Sequence, residues 1–304
     1  MSTFRFFASL LTATLLLTQP AAAQLKNFFA GPGAGASNTT GSRNTFVGAF
    51  AGFSNTSGNS NTFFGESAGS KITNGFANAF FGTFAGTDNT TGGLNAFFGE
   101  NAGRKNTICL RNAFFGASAG TDNTSGSFNA FFGEAAGANN TTSFSNAFFG
   151  AGAGLSNTIG RENTFVGRSA GIENITGNGN SYFGFEAGNP SNLQNLTNAT
   201  AIGHRALVSR SNALVLGSIA GKNEATSDVN VGIGVDAPTF QLHLSKNSAA
   251  KPGSSSWTVA SDERLKKNVQ TFTDGLNLLL QVKPVTYHYN GKAGMPTEYG
   301  FPLK

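Results

Sequence analysis

The stretch NAFFGENAG (residues 95–103) returns as NAFFGASAG (112–120), NAFFGEAAG (129–137) and NAFFGAGAG (146–154), seventeen residues on each time. Counted from its asparagine, the unit starts at Asn27, Asn44, Asn61, Asn78, Asn95, Asn112, Asn129, Asn146, Asn163 and Asn180, and the last of these loosens. The fifth place is always glycine, from Gly31 to Gly184, and so is the ninth, from Gly35 to Gly188. Alanine fills the eighth place from Ala34 to Ala187, and the twelfth and thirteenth usually read Asn-Thr, as at Asn89-Thr90 and Asn123-Thr124. Helical solenoid repeats need about 30 residues or more to hold two packed helices. A shorter unit punctuated by Gly and by Asn-Thr turns suits strands instead. Each unit therefore reads as one coil of a β-solenoid: strand, Gly corner, short strand, polar turn. Ten coils at ~4.8 Å give a rod roughly 50 Å long, with asparagines placed to stack amides from coil to coil.

The doubled phenylalanine carries the functional content. Adjacent residues on a strand point to opposite faces. Third-place residues run from Phe29 and Phe46 through Phe97 to Tyr182, and fourth-place residues from Ala30 and Val47 through Phe98 to Phe183. If both sit in one strand, one column fills the coil and the other faces out. Each aromatic carries ~150–250 Å², and a soluble monomer rarely exposes more than a few hundred Å² of contiguous apolar surface. An outward column calls for a partner chain to cover it. The competing reading is a bulge at the glycine that turns both rings inward.

Composition agrees with a repeat architecture. Gly accounts for 41 residues of 304 and Phe for 30, with 12% charged; this is too aromatic for disorder and lacks the collagen period. The formal charge of +5 is modest. Basic residues gather late, among them Arg264, Lys266, Lys267, Lys283, Lys292 and Lys304. No basic stripe accompanies the repeats, so nucleic acid is not an expected partner. His204, His243 and His288 are scattered and Cys109 stands alone, which leaves no zinc-spaced set and no cofactor or metal site to expect. Cys109 reads as a substitution at a turn, with pairing between chains as the alternative. Asn-x-Thr triplets such as Asn38-Thr39-Thr40 match glycosylation acceptors, but their regular turn placement favours a structural role.

The first 23 residues, MSTFRFFASLLTATLLLTQPAAA, have a cation at Arg5, an apolar run and a small-residue end. This is secretory-signal layout, with cleavage expected before Gln24. About twelve apolar residues fall short of the ~20 that span a bilayer. The chain is expected to be exported and held at the cell surface, outer membrane or outside, with no transmembrane segment in its mature form. Residues 24–221 form the repeat domain, 222–260 a final coil or strand and linker, and 261–304 a C-terminal segment of different style.

Beyond Gly188 the period shortens: NATAIGHRALVSRS (198–211) runs fourteen residues before NALVLGSIAG (212–221). Ala201-Ile202-Gly203-His204-Arg205-Ala206 resembles the "AIGxxA" unit of the head repeats of trimeric, YadA-like autotransporter adhesins. The resemblance covers residues 27–221 and implies a left-handed parallel β-roll in a homotrimer, with a host or surface receptor or a glycan as ligand. Periodicity alone does not give the hand.

VNVGIGVDAPTFQLHL (229–244) reads as a short strand, a turn at Pro238 and a strand ending near Leu244. Its GIGVDA imitates half a dinucleotide loop, but no long strand precedes it and no third glycine follows. After a linker, SDERLKKNV (261–269) brings charge. On chemistry alone it reads as a capped, solvated element, and Asp262-Glu263 as part of its wet face. A sharper reading pairs Ser261 with Lys266 as nucleophile and base, although five residues put them ~140° apart on a helix. With LNLLLQVKPVTYHY (276–289) and EYGF (298–301), this segment resembles the start of the peptidase S74 intramolecular chaperone domain of endosialidase tail spikes. That resemblance implies a small α+β segment that drives trimerisation and cuts itself off between Ala260 and Ser261, with Ser261 and Lys266 catalytic. The family continues past YGF with an "IAQE"-type helix, whereas this chain reads Pro302-Leu303-Lys304, so the segment is expected to be truncated.

Three functions follow in order: an exported trimeric adhesin-like fibre with at most autocatalytic activity, an active S74 autoprotease, and an ice- or glycan-binding solenoid. The last rests on the threonine column Thr39, Thr56, Thr73, Thr90, Thr107, Thr124, Thr141 and Thr158.

Overall fold

The computed structural model describes residues 26–245; within them there are fourteen short strands and no helix. The first six are β1 (Phe28–Ala30), β2 (Thr45–Val47), β3 (Thr62–Phe64), β4 (Ala79–Phe81), β5 (Ala96–Phe98) and β6 (Ala113–Phe115). They continue as β7 (Ala130–Phe132), β8 (Ala147–Phe149), β9 (Thr164–Val166), β10 (Ser181–Phe183), β11 (Thr200–Ile202) and β12 (Leu214–Leu216). These twelve form one parallel sheet in chain order, each strand paired only with the next coil's. The fold is an all-β parallel β-solenoid built on 17-residue coils.

The constant spacing makes the register a lookup from one unit to the next. Phe97 pairs with Phe114, and Phe98 with Phe115, because each lies seventeen residues from its partner. Between β10 and β11 the step lengthens, pairing Tyr182 with Ala201, and between β11 and β12 it shortens, pairing Ala201 with Val215. A separate parallel pair, β13 (Val231–Ile233) with β14 (Leu242–Leu244), follows.

The alternation holds in every repeat. Third-place rings from Phe46 to Tyr182 are fully buried and stack face to face, with Phe97 and Phe114 centroids 4.9 Å apart and 7° from parallel. The ninth-place glycine exists for this column. Gly103 sits at φ 57, and a Cβ there would lie 2.5 Å from the Phe97 ring. The fifth-place glycine serves the backbone instead: at Gly99 (φ 141) a Cβ would meet the Gly116 carbonyl oxygen at 2.4 Å. Alanines at the eighth place, such as Ala102 and Ala119, complete the core.

The expected second strand is absent from the coils. Its stretch is a chain of turns, because the seventh place lies in the left-handed region, as at Ser118 (φ 57) and Phe84 (φ 58). Extended conformation cannot pass through such a residue. Coil-to-coil bonding nonetheless continues: Gly103 N–H donates to the Ala119 carbonyl at 2.9 Å, and Lys105 N–H to the Thr121 carbonyl at 2.9 Å. A ladder therefore runs round the coil although three residues per turn are strand.

Two asparagine columns satisfy the polar interior. At the first place, Asn112 N–H donates to Asn95 Oδ1 at 3.0 Å and its Nδ2 to the Gly126 carbonyl at 2.9 Å. At the twelfth place amide bonds to amide, as Asn140 Nδ2 to Asn123 Oδ1 at 2.8 Å. This second column is interrupted by Ile72, which is fully buried. On either side of it Asn55 Oδ1 and Asn89 Nδ2 have no partner, and one coil further on Asn89 Oδ1 and Asn106 Nδ2 are unpartnered too.

Candidate assembly face

The fourth-place side chains point away from the core and form a second aromatic column. Phe81, Phe98, Phe115 and Phe132 are half-buried, while Phe64 and Phe149 at its ends are 38% and 40% exposed. Their partial burial comes from each other: Phe98 and Phe115 centroids stand 4.6 Å apart, 5° from parallel. Stacking hides ring faces and leaves a continuous edge in water. Val166, Phe183, Ile202 and Leu216 extend the ridge, each more than a third exposed. Beside it the second-place residues, such as Ala96 and Ala113, point the same way and are small. None of the twelve strands carries a charged residue. The sheet thus presents an uncharged ridge and a shallow trough, a surface suited to meeting another protein surface and poor in groups for chemistry.

The other expected sites resolve differently. Thr90 Oγ1 donates to the Thr107 carbonyl at 3.2 Å and Thr107 Oγ1 to the Thr124 carbonyl at 2.8 Å. The threonine column is a coil-to-coil hydrogen-bond ladder with its hydroxyl protons committed. Asn123, head of an Asn-x-Ser triplet, is fully buried, and Asn38 accepts from Asn55 Nδ2 at 2.7 Å and donates to the Gly41 carbonyl at 3.1 Å. Both amides hold turns. Cys109 is a buried free thiol that donates to the Thr124 carbonyl at 3.0 Å. Burial pushes its pKa from 9.0 to about 11. It occupies a place held by glycine in neighbouring coils, such as Gly92 and Gly126, and is out of reach of another chain's thiol. His204 stacks on Phe185 at 5.2 Å, and His243 Nδ1 accepts from Thr239 N–H at 3.2 Å. Among the described residues no group of His, Cys, Asp and Glu is placed to hold a metal, and no helix is long and apolar enough to cross a membrane. Ser261, Lys266, Asp262, Glu263 and His288 lie outside the described residues, as do the signal-like N-terminus and the α+β segment.

Two features escaped the sequence reading. A cavity of about 190 Å³ lies between the ninth, tenth and later coils, lined by Glu173, Glu186, Glu224 and Asn189. Arg205 neutralises part of it, pairing with Glu186 at 2.9 Å and Glu224 at 3.1 Å. At the corner before the strands, large apolar residues also stand exposed, including Phe76, Leu94, Phe128 and Phe144. The guanidinium of Arg111 lies 5.4 Å from the centre of the Phe128 ring, and that of Arg161 lies 5.4 Å from the centre of the Phe144 ring. Their places vary from coil to coil, which hides them from a search for constant positions.

Residues 261–302 match the model of the peptidase S74 family, described as the chaperone of endosialidase. No curated protein and no solved structure matches the chain.

Proposed function

We propose that this protein is the subunit of an exported, homotrimeric, adhesin-like fibre whose C-terminal segment assists trimer assembly. The observation that carries this reading is the uncharged outward face, with its continuous half-exposed aromatic ridge. Such a stripe on a lone rod exceeds what soluble monomers leave wet, and a rod with one greasy face is stable in water once copies cover it. The match of residues 261–302 to the family described as the chaperone of endosialidase supports the same reading, since a chaperone segment suits a chain that must assemble. Likeness of residues 198–211 to YadA-like head repeats adds a surface-adhesin context, with a host receptor or glycan as ligand. Light scattering on the chain lacking its first 23 residues tests it: a mass three times that of the chain is expected, and a stable monomer at micromolar concentration sinks the proposal.

The second reading is self-cleavage between Ala260 and Ser261, with Ser261 as nucleophile and Lys266 as base. It is favoured by the family match beginning at residue 261 and including both side chains. Intact-mass spectrometry distinguishes them. A fragment ending at Ala260 that vanishes in Ser261→Ala supports cleavage, and an uncut wild-type chain removes it. An ice- or glycan-binding role for the threonine column is disfavoured, because those hydroxyls already bond the next coil.

A further inference from the structure

Coils are not equivalent on the outward face, and their differences are coordinated. Second-place residues are alanine in five consecutive strands: Ala79, Ala96, Ala113, Ala130 and Ala147. Each is preceded at the corner, two or three residues earlier, by a large apolar side chain: Phe76, Leu94, Leu110, Phe128 and Phe144. Each is followed two residues later by a ridge phenylalanine, from Phe81 to Phe149. In the strands flanking this belt the second place is polar, as Thr45, Thr62, Thr164, Ser181 and Thr200, and the corner residues before it are polar or glycine too; only the terminal strands return to apolar residues there, Phe28 and Leu214. Nothing inside one coil demands this agreement, because all three places face outward. A surface whose trough is covered over the middle of the rod and flanked by polar trough positions does demand it, matching the apolar-core, polar-rim layout of protein interfaces.

We infer that the belt over β4–β8 is where copies of this chain dock side by side, all parallel, the phenylalanine ridge of one seated in the alanine trough and corner of the next. The inference rests on the self-association reading above and specifies its geometry. Size complementarity sets the pairing: a ridge of rings fits a trough of methyl groups. Charge agrees. The ridge side is bordered by exposed Glu66, Glu100 and Glu134, and the trough side by exposed Arg43, Arg111 and Arg161; in the ninth coil the signs swap on both sides, with exposed Arg168 beside the ridge and exposed Glu162 beside the trough. Ridge-to-trough docking brings acid to base. A two-fold axis across the rods would instead set ring on ring and glutamate on glutamate, so parallel packing is selected. Area is sufficient when the flanking strands join the belt as its rim: the five belt strands at ~4.8 Å and four residues of width give about 300 Å², and the whole twelve-strand face about 700 Å², close to the ~800 Å² each partner contributes to a standard interface.

The experiment uses the full chain with Cys109→Ser, a change for which Ser143 at the equivalent place is precedent. Light scattering compares Ala113→Glu in the belt with Thr45→Glu outside it. The belt variant is expected to raise the dissociation constant at least tenfold, and the outer one to leave it within threefold. As a check independent of a charged variant's folding, copies carrying Ala113→Cys are mixed with copies carrying Phe115→Cys and oxidised. A disulfide between the two kinds is expected. Linkage of Phe115→Cys copies to themselves overturns parallel docking. An oligomer indifferent to Ala113→Glu, with no mixed disulfide, overturns the belt while leaving self-association standing. A monomeric parent chain overturns both, and capture of a polysaccharide by that monomer would assign the ridge to a glycan instead.

Discussion

Phe114 and Phe115 are neighbours in sequence and identical in chemistry, yet they belong to different parts of the molecule. Phe114 is fully buried, its ring sandwiched between Phe97 and Phe131. Phe115 repeats that sandwich with Phe98 and Phe132 on the outer side of the same sheet, and its edge meets water. Stacking is the same in both columns; enclosure is not. The inner column is closed by the ninth-place glycines and eighth-place alanines of its own coil, the outer column by nothing among the described residues. Aromatic stacking along a solenoid therefore does not distinguish core from contact surface, whereas the residues opposite the rings do.

Truncating one ring in each column breaks this comparison most directly. Phe114→Ala empties a closed site and is expected to lower stability by about 3–5 kcal/mol, read as a drop in the urea midpoint. Phe115→Ala removes mainly outer stacking, for about 1 kcal/mol, and shows its larger effect in oligomer mass. Equal losses in the two would erase the distinction between the columns. Adding an atom where the inner column has no room comes next. Gly103→Ala places a methyl 2.5 Å from the Phe97 ring and is expected to destabilise by about 1–3 kcal/mol, with the monomer unfolding earlier in urea.

Smaller changes sharpen the picture of the interior. Ile72→Asn should mend the twelfth-place column by giving Asn55 Oδ1 and Asn89 Nδ2 their missing partners. Relief of stranded amide atoms outweighs the lost isoleucine burial, for a net gain of about 1 kcal/mol in thermal or urea unfolding. Cys109 tests the interior by titration. Its folded pKa is raised from 9.0 to about 11 by burial, so the neutral thiol's contribution is present below pH 9 and is lost as pH climbs towards 11. Cys109→Gly should flatten the stability decline over that window. The native thiol should stay unlabelled by a maleimide at pH 7 until denaturant is added, and rapid labelling of the folded chain would contradict its enclosure.

Much of this was legible because the period, the doublet and the glycines are invariant, and invariance in a stacked coil translates directly into columns. The inward and outward directions of Phe97 and Phe98 follow from strand alternation alone. The turn-rich half of the coil was not legible. Left-handed φ values occur there at Phe50, Phe84, Ala135 and Glu186, residue types that give no turn signal, so the stretch imitated a strand. The threonine column suggested a ligand surface until its hydroxyls proved to bond the adjacent carbonyls. The belt lay in the variable places, where a search for repetition discards the information. The Ser261–Lys266 pair lies outside the described residues and stands on its family resemblance.

The register between coils also bears on how such a gene can change. Excision or duplication of one whole unit rejoins Asn to Asn, Phe to Phe and Gly to Gly, so the rod shortens or grows by a rung with every seam intact. Loss of a single codon within a coil throws the downstream columns out of line. Alleles of this protein should therefore differ in length by complete units, and the hydrophobic belt should widen or narrow with them.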